Sequence, residues 1–246
     1  MNLIDCNAML GRLPTANAGE GSAAALVKLM DRFGIDGAVV AHTAAWRHDP
    51  ASGNALLLAE LAGEPRLRPA WVGLPDSCGE VAPPTQFVVA ARRQGVVAVR
   101  LYPADHGYAL GGPDCAPLLD ALAAARLPLL IDAAQAPMAE IEAVAAARPA
   151  LPVVVCQLGY RALRQLAGVL ARTGNVHLDL SYLGSHLGLE WLVERFGCGR
   201  LLFGTGLPLR DPADAVTRLL WSELDGGAVG AIGGGNLRRL IGGELW

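Results

Sequence analysis

The chain has 246 residues, 52 % of them hydrophobic and 17 % charged, with a formal net charge of −3 and a mean hydropathy of +0.35. No basic tract interleaved with aromatic residues exists to neutralise phosphates, which argues against nucleic acid as a partner. No apolar stretch reaches the roughly 20 residues that crossing a bilayer needs, which argues against a membrane protein.

Apolar runs and helical periodicity alternate along the whole chain. The first run, Asn2–Cys6, precedes an amphipathic stretch at Ser22–Phe33, and the second, Gly37–Ala41, precedes Gly53–Ala62. Arg68–Gly73 leads to Pro84–Gln94, Val96–Leu101 to Ala116–Ala125, and Pro128–Ile131 to Met138–Ala147. Val153–Cys156 leads to Arg161–Arg172, Val176–Leu180 to Leu187–Phe196, and Leu201–Gly204 to Pro212–Leu220. Each run is short and almost continuously apolar, as a strand buried on both faces should be. Eight strand–helix units predict a closed parallel (β/α)8 barrel, and a last stretch, Asn236–Ile241, predicts a short closing helix. Gly34, Gly95 and Gly174 sit where left-handed helix stops want glycine, and Asp211 before Pro212 reads as a helix start. Without a linker or charge block, residues 1–246 are read as one domain. An open dinucleotide-binding sheet is disfavoured because Asn7-Ala8-Met9-Leu10-Gly11, not a G-x-G-x-x-G turn, follows the first strand.

The opening residues lack the charged and apolar regions of a signal peptide. Cys6, Cys78, Cys115, Cys156 and Cys198 are scattered and form no C-x-x-C pair, so a reducing cytoplasm is expected. The charged fraction is below the roughly 25 % usual for globular chains. Either a large core or a homo- or hetero-oligomer with another barrel subunit accounts for it.

In a barrel of this type chemistry sits at the carboxyl ends of the strands, where the loops converge. Strand alternation points Asp5, Asn7 and Met9 inward on the first strand, Arg100 and Tyr102 on the fourth, and Asp132 on the fifth. Gln157 closes the sixth strand, Asp179 and Ser181 the seventh, and Gly204 and Gly206 the eighth. These stretches, from Ile4–Gly11 through Gly95–Pro103, Leu127–Asp132, Val153–Gly159, Asn175–Ser181, Phe203–Pro208 and Asn236–Leu240, resemble the amidohydrolase-related branch of the amidohydrolase superfamily. The resemblance implies metal ligands in an H-x-H on the first strand, histidines ending the fifth and sixth, and an aspartate in a G-T-D-x-P turn on the eighth. Here those positions read Asn7/Met9, Asp132, Gln157 and Gly206. A catalytic zinc site wants about three strong donors. Amides and a thioether are weak ones, and glycine offers none. No metal and no other cofactor is therefore expected.

Arg100 and Asp132 are expected to be neighbours, either pairing with each other or serving as carboxylate anchor and acid–base. His106, in the Asp105–Tyr108 loop, is a second acid–base candidate. Tyr102, Tyr108, His42, Asn7 and Gln157 complete the candidate substrate contacts. His177 is expected to face the helices, and Cys6 to point away from the site. Two functions follow. One is a non-catalytic, amidohydrolase-like barrel supporting a homologous or other enzyme. The alternative is a metal-independent hydrolase, lactonase or decarboxylase on a small carboxylated substrate; the resembled family contains metal-free lactonases.

Overall fold

The computed structural model describes residues 2–13 and 21–243. Its strands are β1 (Leu3–Leu10), β2 (Ile35–His42), β3 (Leu67–Val72), β4 (Ala98–Leu101), β5 (Leu129–Asp132), β6 (Val153–Cys156), β7 (Val176–Asp179) and β8 (Leu201–Leu202). They pair in parallel in the order β1-β2-β3-β4-β5-β6-β7-β8. Closure is made by backbone bonds from Cys6 N to Phe203 O at 2.9 Å, Gly206 N to Asn7 O at 2.8 Å and Met9 N to Leu207 O at 2.9 Å. The fold is a single (β/α)8 barrel.

The helices that follow are α1 (Ala23–Phe33), α2 (Thr43–Arg47), α3 (Pro50–Glu60), α4 (Pro84–Arg93), α5 (Pro103–His106) and α6 (Ala116–Ala125). The second half adds α7 (Met138–Ala147), α8 (Leu163–Arg172), α9 (Gly188–Phe196), α10 (Pro212–Leu220), α11 (Gly226–Gly230) and α12 (Asn236–Ile241). Local chemistry accounts for several ends. Gly34 stops α1 in the left-handed region at φ 66°, and Asp211 caps α10 by accepting from Ala213 N at 2.9 Å. Gly174 is not a helix stop: Thr173 ends α8 in an extended conformation.

Two cores follow from strand alternation. The larger lies between barrel wall and helices, and includes Leu10, Val40, Leu101, Ile131, Val155 and Leu178. The smaller fills the barrel with Ile4, Cys6, Ala41, Ala70, Leu130, Val154, Cys156 and Leu202, and α12 closes its lower end with Leu237 and Ile241. Asn236 pins that helix by donating to the carbonyls of Cys198 and Leu201 at 2.7 and 2.8 Å.

The expected inward set on β1 needs correction. Pairing with β2 slips between Asp5 and Ala8, which face Ala38 and Val40, so three steps on β1 match two on β2. A bulge of this kind breaks simple alternation. Cys6 consequently joins the barrel interior, while Asp5 turns to the β1–β8 seam. There its carboxylate accepts from Asn7 N at 2.8 Å, Thr205 N at 2.9 Å and the Thr205 hydroxyl. His177 shares its face of β7 with Asp179, two residues on, and reaches the lower end of the barrel rather than facing the helices.

Two short helices, α2 and α5, were not anticipated by periodicity, since each is about one turn long. They matter because they lie directly over the strand ends. Gly53 of α3 lets α2 come close: a Cβ there would stand 2.1 Å from Ala45 N and 2.3 Å from Ala45 Cα. Those neighbours are backbone and cannot rotate away. Gly53→Ala is expected to cost about 3 kcal/mol, the upper end of the overpacking range, with a lowered urea midpoint and unchanged m-value as the measurement.

Candidate functional site

The upper end of the barrel carries a continuous polar network with a charged centre. Arg100, on β4 and 2 % exposed, donates from Nη2 to Asn7 Oδ1 at 2.5 Å. The same nitrogen stands 3.8 Å from Asp132 Oδ1, a long ion pair, and Nη1 reaches the Tyr102 hydroxyl at 3.4 Å. Asn7 passes the connection on, donating from Nδ2 to Asp179 Oδ2 at 2.6 Å and to Ser181 Oγ at 3.4 Å. Asp179 Oδ1 accepts from Gln157 N at 3.1 Å. The guanidinium is thus held chiefly by a neutral amide, which itself solvates a second buried carboxylate. Both the predicted pairing of Arg100 with Asp132 and an arrangement not foreseen, through Asn7 to Asp179, are present.

Above this network lies an apolar lid. Met9, Leu13, Ala45, Trp46, Val72 and Tyr102 form a separate buried cluster. Trp46 stacks on Tyr102 with centroids 4.9 Å apart and donates from Nε1 to Asp105 Oδ2 at 2.7 Å. The Arg47 guanidinium covers its outer face at 3.6 Å. Asp105 also accepts from Gln135 Nε2 at 2.8 Å, tying the β4 and β5 loops together. Trp46 had no signal in the periodicity. Its clue is local: His42 Nδ1 accepts from Ala44 N at 3.0 Å, capping a one-turn helix that lifts Trp46 over the barrel.

The remaining candidates make contacts around the lid and in the outer core. His42 is consumed as that cap, with Nε2 3.5 Å from Glu60. His106 Nε2 meets the Trp46 carbonyl at 2.8 Å, fastening α5 to α2. Tyr108 packs against the outer core. Asn7, Arg100, Tyr102 and Asp132 are brought together; His42 and His106 hold the helices of the lid, and Tyr108 packs in the outer core.

On the β8 side, Gly206 has φ +72°, and a Cβ there would fall 2.2 Å from Gln157 Nε2 and 3.0 Å from Arg210 Cγ. Gln157, itself left-handed at φ 54°, accepts from Arg210 Nε at 2.9 Å through Oε1, and that guanidinium lies 3.3 Å above the Tyr182 ring. The volume a longer side chain at Gly206 would need is already filled. Among the described residues no group of three or more His, Cys, Asp or Glu is arranged to hold a metal ion. The positive charge at the strand ends is that of the Arg100 guanidinium, held by Asn7.

Burial sets the protonation states. Desolvation pushes the Tyr102 phenol up, so it stays a neutral donor. It also raises the Asp179 carboxyl from 3.8 to about 6, against hydrogen bonds from Ser181 and Asn7 that pull it down. A carboxyl with a folded pKa above its unfolded one binds its proton more tightly in the native state. Asp179 therefore lowers stability as pH rises from 3.8 to about 6, and its penalty is complete above that window. Asp179→Asn, which cannot ionise, is expected to flatten this part of the stability–pH curve in urea titrations.

An amidohydrolase family model matches residues 16–243. No curated protein matches the chain. Several solved structures share its fold. An uncharacterised TIM-barrel protein from Bordetella bronchiseptica is 18 % identical with a TM-score of 0.76, the alignment covering 98 % of each chain. A dihydroxybenzoic acid decarboxylase from Polaromonas sp. JS666, solved with manganese and an inhibitor, is 15 % identical with a TM-score of 0.77, covering 98 % of this chain and 97 % of that one. A probable 2-pyrone-4,6-dicarboxylic acid hydrolase from Acinetobacter baumannii is 17 % identical with a TM-score of 0.72, covering 98 % and 100 %. With a (β/α)8 barrel and a family-model match over residues 16–243, the chain belongs to the amidohydrolase family.

Proposed function

We propose that this protein is a non-catalytic amidohydrolase-family barrel, a supporting subunit for a homologous or other enzyme. One observation carries the reading. The strand ends, where the family's chemistry belongs, are occupied by Arg100 bonded to Asn7 and roofed by the Trp46–Tyr102 stack. A metal-assisted step needs a cation that lowers the pKa of water, and these residues offer no donor set for one. Exposed aromatic side chains on the outside, Trp191 at 40 % and Trp221 at 85 %, suit a chain that meets another subunit. Five free cysteines favour a reducing, cytoplasmic setting, and among the described residues no helix is long and apolar enough to cross a membrane.

Elemental analysis and native mass spectrometry of the purified protein test this. The expected result is no stoichiometric zinc, iron or manganese, no turnover of aromatic carboxylates or lactones, and co-purification with a defined protein from its own host. A tightly held metal ion, or turnover that depends on one, overturns it.

A second reading rests on a different observation. Arg100 Nε and Asp132 Oδ1 are both buried without a hydrogen-bond partner among the described residues, and the Asp132 side chain keeps 13 % of its surface open. These are the contacts a small carboxylate ligand would complete, with Arg100 as anchor and Asp132 as proton carrier in a metal-independent hydrolase, lactonase or decarboxylase. Structural neighbours described as decarboxylases and hydrolases suit that chemistry. Measurable turnover by metal-free protein, lost in Asp132→Asn and Arg100→Lys, would establish it; rates unchanged in both variants end it.

A further inference from the structure

At the opposite end of the barrel, where β5 to β8 begin, lies a concavity of about 620 Å³. Helix α12 forms one side, and the segments entering β5, β6 and β8 form the others. Arg92, Arg126 and Arg239 converge on it with His177 and the buried Asn236, and no carboxylate of a described residue lines it. Elsewhere on the barrel Arg100, Arg148, Arg172 and Arg218 each face an aspartate or glutamate, while Arg47 and Arg210 lie over aromatic rings. Here the arginines are held by neutral groups. Arg92 donates to the Ala125 carbonyl at 2.7 Å and Arg239 to the Asn236 amide oxygen at 2.6 Å. The Arg126 backbone N–H caps α6 at the Ala123 carbonyl, while its guanidinium makes no hydrogen bond or ion pair with a described residue. Nearby, Arg200 spends its donors on the carbonyls of Leu170 and Thr173, at 2.9 and 2.6 Å. Positive charge gathers here with no carboxylate among the described lining residues, on a chain whose net charge is −3.

We propose that this concavity binds a small polyanion, a di- or tricarboxylate or a phosphate ester, gripped by Arg92, Arg126 and Arg239. Guanidinium forks match the oxygen pairs of both anion types. The volume falls within the roughly 300–1,000 Å³ of small-ligand sites, and concave walls concentrate the field of the charges. His177 lines the same concavity. Its Nδ1 is buried without a partner among the described residues, and burial, with smaller contributions from Arg200 and Arg239, pushes its pKa down to about 4. The site lies away from the Arg100 network, so it stands whichever reading of the upper end holds.

Citrate and inorganic pyrophosphate, titrated into the intact protein at constant ionic strength, test the proposal. Calorimetry is expected to show one saturable site, with Tm raised by several degrees. His177 ring resonances should shift, and its pKa should rise as the anion offsets the arginines. Tighter binding of citrate identifies a carboxylate ligand, and tighter binding of pyrophosphate a phosphate one. Arg126→Gly removes a guanidinium at a position whose left-handed backbone, φ 49°, suits glycine, and Arg239→Gln keeps a hydrogen-bonding group. Each is expected to weaken binding about tenfold or more, since a charge-assisted contact is lost, with circular dichroism unchanged. Absence of saturable binding by both anions, an equal effect of sodium chloride, or unaltered affinity in both variants overturns it.

Discussion

Arg100→Ala is expected to lower stability by roughly 3–5 kcal/mol, the cost of removing one partner of a buried charge pair. The side chain is almost fully enclosed, and three polar groups depend on it: Asn7 Oδ1, the Tyr102 hydroxyl and Asp132. Alanine leaves Asn7 without its donor and Asp132 without its only counter-charge within 4.0 Å among the described residues. The loss also reaches Asp179, because Asn7 is oriented by Arg100 while it donates to that carboxylate. Equilibrium urea unfolding reads the change, and Tm should fall by about 10 °C for a chain of this size. Arg100→Lys should recover part of it, since an ammonium restores charge but not the planar fork. A loss below about 1 kcal/mol, no more than an exposed pair contributes, would show that the guanidinium is not the centre of the network.

Trp46→Ala should be comparably damaging, at roughly 3–5 kcal/mol for truncating a buried aromatic. It removes the stack on Tyr102, the hydrogen bond to Asp105 and the roof over Met9. The functional consequence is more informative than the stability loss. If the upper end is a packed core, the variant remains inactive and gains only solvent access, seen as faster amide exchange in α2 and α5. If the lid covers a working site, small carboxylates should bind the opened variant, competing through Arg100. Trp46 and Arg100 both contact Tyr102, so their effects should not add: the double variant should be milder than the sum.

Much of the fold was legible before any coordinates. The strand at Val153–Cys156 and the helices Ala116–Ala125, Met138–Ala147 and Pro212–Leu220 coincide with their apolar periodicity, because each is long enough for its buried face to repeat. The closing helix Asn236–Ile241 was readable for the same reason. β1 was not. It runs on to Leu10, and its bulge sends Cys6 inward and Asp5 to the seam. Parity counting assumes an unbroken ladder, and the break is set by pairing with β2 and β8 rather than by residues within β1. The lid was hidden too, since α2 and α5, at about one turn each, are too short for an apolar face to recur.

Composition and order along the chain thus fixed the eightfold alternation and the absence, at Asn7, Met9, Asp132, Gln157 and Gly206, of the histidines and aspartate that the resemblance implies there. Both are properties of residue type at a position, and no neighbour can alter them. What those residues do instead was decided only when the barrel closed. Asn7 and Arg100 are 93 residues apart, and Asn7 and Asp179 are 172 apart. Whether a buried charge finds a carboxylate, an amide or nothing depends on distances of a few ångströms in a medium with little water. Such distances are products of packing, and the linear chain does not carry them.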